Sequence, residues 1–175
     1  MAQITYEVPK PLGLNKAQVE DYTVRFAAVL GLRIGGALEP IVQALGGDIE
    51  YGAAEDELDG GSIIARDQND FTIYLSEFTA PIRDRFTIAH ELGHLFLHFP
   101  KIKAGNPGAI MRATRRVDAT DDLQKRAEWE ANWFAAALLM PASEFRLTMN
   151  KDIEYNAAKF NVSRKAASVR RTSLQ

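Results

Sequence analysis

The chain has 175 residues, 46% of them hydrophobic and 25% charged, and a formal net charge of −2. That is enough chain for one domain with a core and a short appendage, and the ordinary composition excludes general disorder. There is no cysteine, so disulfides and thiolate ligands are excluded together and any metal must be held by His, Asp or Glu.

Met1 to Leu12 lacks the basic start and apolar run of a signal peptide, and no stretch approaches the roughly 18 uninterrupted apolar residues of a membrane span. A cytoplasmic location is the expectation. Asn15 to Leu32 repeats apolar residues at helical spacing (Val19, Tyr22, Phe26, Leu30), and Leu38 to Leu45 predicts a second, short helix closed by Gly46-Gly47. Asp48–Tyr51, Ser62–Ala65 and Phe71–Leu75 predict strands of a small antiparallel sheet, with Ala54–Gly61 and Arg66–Asp70 as turns.

Pro81 opens a helix that runs to His98 and stops at Phe99-Pro100. Inside it, Gly93 costs roughly 1 kcal/mol against alanine, tolerated either by accident or because another element approaches closely there. Lys101 to Asp121 predicts a long loop beside that helix. Leu123 to Met140 predicts a strong helix ended by Pro141, followed by helical pieces at Ala142–Met149 and Ile153–Phe160 and a basic helix from Ser163 to Arg171. The fold class expected is α+β, divided into a domain over 1–141 and a C-terminal helical segment over 142–175.

Charge is distributed unevenly. Asp48, Glu50, Glu55, Asp56, Glu57 and Asp59 form an acidic patch, whereas Lys101, Lys103, Arg112, Arg115 and Arg116 form a basic stretch. Lys159, Arg164, Lys165, Arg170 and Arg171 make a basic tail. Such runs are most often solvated faces. In the tail, Ser163 can cap a helix after the turn Phe160-Asn161-Val162, so phosphate contact with DNA is one reading and docking against the body of the protein is the other.

The chemistry lies in His90-Glu91-Leu92-Gly93-His94. The chain's three histidines, His90, His94 and His98, all fall within nine residues around one glutamate. Four residues apart on a helix, His90 and His94 project from one face and can hold one Zn²⁺, with Glu91 as general base for a water. A third ligand is needed. His98 lies about 12 Å from His90 along an intact helix, too far to share an ion about 2 Å from each, so it is read as a helix-end residue behind the ligands. The helix Leu123–Met140 offers Glu128 and Glu130. Glu128 shares a face with Asn132, which suits a metal carboxylate beside an amide that orients a histidine, whereas Glu130 points about 200° away. Spacing alone leaves both glutamates open.

The strings Arg85-Phe86-Thr87-Ile88-Ala89-His90-Glu91-Leu92-Gly93-His94-Leu95-Phe96-Leu97-His98 and Glu128-Trp129-Glu130-Ala131-Asn132-Trp133-Phe134-Ala135-Ala136-Ala137-Leu138-Leu139-Met140-Pro141 resemble the two signature segments of the ImmA/IrrE family of gluzincin-type zinc metallo-endopeptidases. The resemblance implies His90, His94 and Glu128 as metal ligands and Glu91 as the catalytic base. It also implies an active-site helix and a ligand helix packed on the small sheet, a C-terminal segment resembling a helix-turn-helix, and a helix-turn-helix repressor as protein substrate in mobile-element, toxin–antitoxin or stress regulation. Zn²⁺ is the expected cofactor, with Mn²⁺ or another divalent ion open to the same ligands. Tyr74, and arginines of the 101–121 stretch, are candidate donors to an oxyanion. The alternative function is a metal-containing module that regulates a repressor or antitoxin by contact without proteolysis.

Overall fold

A computed structural model describes residues 5–52, 62–114 and 120–175. The turn expected over 54–61, the acidic residues 55–59 and Arg115 and Arg116 therefore lie outside the described residues.

Strand β1 (Tyr6–Glu7) comes first, then helix α1 (Lys16–Val29). A capping box starts α1: Asn15 Oδ1 accepts from the Gln18 amide and Gln18 Oε1 accepts from the Asn15 amide, each at 2.9 Å. Helix α2 (Glu39–Ala44) has Pro40 in its first turn and leads through Gly46, at φ +83°, into β2 (Gly47–Tyr51). An alanine Cβ at Gly46 would lie 2.3 Å from the Asn69 carbonyl oxygen, so only glycine fits that turn. Strands β3 (Ser62–Asp67) and β4 (Asp70–Leu75) form a hairpin with a register shift between Ala65 and Asp67.

Helix α3 (Pro81–Gly93) continues through a π-helical turn (His94–His98) into α4 (Phe99–Gly105), so the helical path does not end at Phe99-Pro100 as expected. Pro100 sits in the first turn of α4, where its missing N–H costs nothing. The stretch expected to be loop thus contains α4 and also strand β5 (Ile110–Thr114), whose buried Met111 and Ala113 alternate with half-buried neighbours. Helix α5 (Asp122–Leu139) is capped by Asp121, which accepts from the amides of Leu123 and Gln124 at 2.9 and 3.1 Å. Helices α6 (Ala142–Arg146), α7 (Ile153–Phe160) and α8 (Arg164–Ser173) complete the chain, and Ser163 caps α8 by accepting from the Ala166 amide at 3.1 Å.

The α+β class is as expected, but the sheet is mixed rather than antiparallel throughout. Among the described residues its order is β1-β5-β3-β4-β2. The central pairs β4–β3 and β3–β5 are antiparallel, whereas the edge strands β2 and β1 pair in parallel with β4 and β5. The physical reason is the order: β3 does not lie beside β2, and the tight β3–β4 hairpin inserts β4 between them. Ile63, Ile73, Leu75, Met111 and Ala113 all point to one face, where Ile88, Leu92 and Phe134 of α3 and α5 cover them in a common core. Phe26 of α1 packs on Phe134 with ring centroids 5.5 Å apart. Phe145, Phe160 and Ala167 of the three last helices belong to the same core. No helix of the described residues is long and apolar enough to cross a membrane.

Candidate metal centre

The centre depends on how closely α3 and α5 approach. A Cβ added at Gly93 would stand 3.1 Å from Ala131 Cα and 3.2 Å from both the Ala131 carbonyl oxygen and Phe134 Cβ, so the glycine permits the contact. Of the two readings of Gly93, close approach is the one found. The helices run antiparallel, which puts Glu128 of α5 against His90 and His94 of α3.

Glu128 Oε2 is 3.2 Å from His90 Nε2 and Glu128 Oε1 is 3.1 Å from His94 Nε2. The two Nε2 atoms are 3.0 Å apart. Among the described residues, these three side chains form a cluster able to hold a metal ion, with the facing atoms all within 4.8 Å of one another. Two imidazole lone pairs and a carboxylate aimed at one point repel unless positive charge lies between them. Burial, opposed by Glu128, holds His94 near pKa 3, so its lone pair stays available. Burial pushes His90 down, but contacts with Glu128 and the charge of Glu91 outweigh it and raise the pKa. Burial pushes Glu128 up, but the same histidines hold it well below the usual carboxylate range. A set of two nitrogens and one carboxylate fits a divalent cation of the Zn²⁺ type.

The far side of each histidine is also engaged, which fixes both tautomers. With Nε2 facing the centre as an acceptor, a neutral imidazole carries its proton on Nδ1. His90 Nδ1 then donates to Asn132 Oδ1 at 3.1 Å. His94 Nδ1 donates to His98 Nδ1 at 3.0 Å, which leaves His98 Nε2 protonated to donate to Glu130 Oε2 at 3.1 Å. His98 stands one turn beyond His94 on the same face, as His94 does beyond His90, and the residues His94–His98 form the π turn. Glu130 is fully buried and accepts from three further donors: the Leu12 amide at 2.8 Å, the Gly13 amide at 2.7 Å and Arg126 Nε at 3.3 Å. Burial alone would raise its pKa, but His98 and the Leu12 amide hold it at about 2.

The structure thus brings His90, His94, Glu128, Asn132 and His98 together, with Glu91 buried on the turn between the two histidines. It does not bring Tyr74 to them. Alternation along β4 sends Ile73 and Leu75 to the helices and Tyr74 to the opposite face, beside Thr72, Glu50 and Arg66. Tyr74 is therefore not placed to donate to an oxyanion at this centre. Arg112, on β5, stacks over the Tyr6 ring at 5.2 Å. Glu130, the other candidate for the third ligand, is found instead behind the centre as the acceptor for His98, a place that sequence reasoning did not give it. Its signal was present: it lies in helical register with Ala127, Ala131 and Phe134, a carboxylate in an apolar stripe.

A helix bearing His-Glu-x-x-His, with a carboxylate presented by an antiparallel neighbour above a small sheet, is the arrangement of a metallopeptidase-type metal site. Residues 60–172 match the family model Peptidase_M78, the IrrE N-terminal-like domain, and the chain belongs to that family of metallopeptidases. The matched segment crosses the expected division at 141/142. Among solved structures, a Mycobacterium tuberculosis transcriptional regulator shares the fold with a TM-score of 0.59 at 17% identity, over 86% of this chain and 45% of that one. The chain thus spans less than half of that relative's length. No curated protein matches the chain.

Proposed function

We propose that the protein is a zinc-dependent endopeptidase that cuts a helix-turn-helix transcriptional repressor, with residues 1–141 carrying the catalytic apparatus and 142–175 a helical segment packed on it. The observation that carries this reading is the company of Glu91. A purely structural His-His-Glu site has no need of a buried carboxylate between its two histidines, whereas hydrolysis needs a base there. The relative described as a transcriptional regulator supports a regulatory role, and with a substrate of that kind the protein would act in the cytoplasm.

His90 and His94 through Nε2, and Glu128 through its carboxylate, would hold the ion. When bound, it supplies Lewis acidity toward a peptide carbonyl and acidifies a water. Asn132 and His98 keep the two imidazoles in the tautomer that leaves Nε2 free. Glu91 takes the proton of the attacking water and passes it to the departing amine. Four of the five tail cations are engaged within the chain. Arg170 is paired with Glu20 at 2.7 Å, Lys159 lies 3.8 Å from Glu144, Arg164 pairs with Glu154, and Arg171 donates to the Lys151 carbonyl at 2.5 Å. That favours docking of α8 on the body over contact with DNA.

The test is mass spectrometry of a helix-turn-helix regulator from the same genome, incubated with Zn²⁺ and either wild type or Glu91→Gln. The expected result is a defined cut by wild type that Glu91→Gln slows by about 10²–10⁴-fold. Tight binding by both forms with no cut would replace the peptidase by a module acting through contact alone.

A further inference from the structure

A groove of about 820 Å³ starts at Asn132, the residue bonded to His90, and runs away from the metal centre along both of its helices. One wall follows the ligand-bearing faces: Phe86 and Ile82 lie one and two turns before His90 on α3, and Ala136 and Met140 one and two turns beyond Asn132 on α5. The other wall is α8, with Ala166 and Val169 turned inward. Ile82 is 42% exposed and Val169 62% exposed, so each wall offers apolar surface to whatever enters.

The charge is one-sided. Every charged residue lining the groove is a cation and none is a carboxylate. Two of these cations are already committed, Arg170 to Glu20 and Lys16 to the Ser173 carbonyl at 3.1 Å. Arg83 on the α3 lip and Lys165 on the α8 lip are exposed, and the described residues place no carboxylate within ion-pair distance of either. An apolar floor is a poor seat for a phosphate backbone and a good one for side chains.

The geometry points to a substrate-binding groove that seats an extended peptide segment with apolar side chains on its floor and Asp or Glu side chains against Arg83 and Lys165. The wall from Asn132 to Met140 is about 12 Å long, which matches about four extended residues. This inference rests on the peptidase reading, since it makes the groove, which begins behind His90, a docking site beside the centre for a segment of the substrate that flanks the cut. It also gives α8 a role: without it the groove has one wall.

The experiment uses the full chain with Zn²⁺ and Glu91→Gln, so that binding is read without cleavage. Fluorescence anisotropy compares three labelled ten-residue peptides: one alternating Leu or Phe with Asp, the same peptide with Lys for Asp, and one of Ser and Gly. The Asp peptide is expected to bind at least 10-fold more tightly than the other two. Val169→Asp, at an exposed position, is expected to weaken it at least 10-fold, and Lys165→Glu to shift preference toward the Lys peptide. Equal binding of all three peptides, no binding of any, or indifference to both substitutions would overturn the groove. So would sedimentation showing a dimer that Val169→Asp dissolves, which would make a second copy the occupant. Cleavage of the Asp peptide by wild type separates the two ideas. Binding without a Glu91-dependent cut leaves the groove standing and removes the peptidase, whereas a cut unaffected by Val169→Asp does the reverse.

Discussion

His90 and His94 stand one turn apart on the same helix, and their far nitrogens meet two very different environments. On the outer side, His90 leans on Asn132, an exposed amide at the mouth of the apolar groove. On the inner side, His94 is tied through His98 to Glu130, a buried carboxylate that also gathers two amides of the Leu12–Gly13 segment and Arg126. One ligand is held by a single contact that solvent can replace, and the other by a network that joins the N-terminal segment, α5 and the π turn. The inner half of the centre is therefore part of the fold, whereas the outer half is free to respond to what enters the groove.

The largest effect expected from this contrast is at Glu130. Removing the carboxylate in Glu130→Ala leaves His98, two backbone amides and Arg126 short of an acceptor. Breaking a buried pair of this kind costs about 3–5 kcal/mol, which for a chain of this size lowers Tm by about 10 °C. Metal affinity should fall roughly 10–100-fold as His94 loses its orientation. Glu130→Gln should rescue little, although it is the same shape, because its NH₂ would face donors whichever way it turned. Thermal melts with and without Zn²⁺, together with competition against a chromophoric chelator, read both quantities. A Glu130→Ala protein as stable as wild type would erase the distinction between the two halves.

The outer half was legible in the sequence, and of the inner half the histidines were but the role of Glu130 was not, for a physical reason. His90 with His94, and Glu128 with Asn132, obey the i, i+4 rule of a helix, so spacing puts each pair on one face, and the family resemblance selects Glu128 as the ligand. The same geometry points Glu130 about 200° away from Glu128 while leaving it open as a ligand, and it places His98 too far along the helix from His90 to share an ion. What spacing does not give is the partner: across the π turn His98 stacks behind His94 and meets Glu130 of α5, which also accepts from the distant Leu12 and Gly13 amides. Nothing in Leu95-Phe96-Leu97 announces an extra residue in that turn. The sheet was legible where hydrophobic runs were strong, as in β4, and not where the signal was weak. Tyr6–Glu7 is two residues long, and β5 alternates through Met111 and Ala113, too small a contrast to stand out in a stretch rich in Gly, Pro and Arg.

A smaller effect should come from Gly93, because the close approach of α3 and α5 serves both halves at once. Gly93→Ala gains about 1 kcal/mol of helix propensity. Its methyl, however, meets Ala131 backbone atoms at 3.1 and 3.2 Å, and overpacking against backbone costs about 1–3 kcal/mol. The net expectation is a loss of about 1 kcal/mol, seen as a drop of about 2–4 °C in Tm. Because Glu128, Glu130 and Asn132 all ride on α5, zinc affinity should fall with it. A stabilised protein with unchanged zinc affinity would mean that α5 yields without cost, and that the spacing of the two helices does not set the centre.

The smallest effect on the fold, and the sharpest on the comparison, belongs to Asn132. Its side chain is exposed and its bond to His90 is the contact that holds that imidazole's far nitrogen, so Asn132→Ala removes orientation without uncovering a buried group. Surface changes of this kind stay within about 0.5 kcal/mol, so Tm without metal should not move. Zinc affinity should nonetheless drop, toward the lower end of the roughly 10–100-fold range for lost orienting partners, because water can take the place of the amide. The informative measurement is the double variant Asn132→Ala with His98→Ala. If the two histidines are oriented independently, the losses in affinity add to within about 0.5 kcal/mol. A loss much smaller than additive would mean that once either imidazole swings free the other no longer matters, and that the centre works as one unit with no inner and outer half.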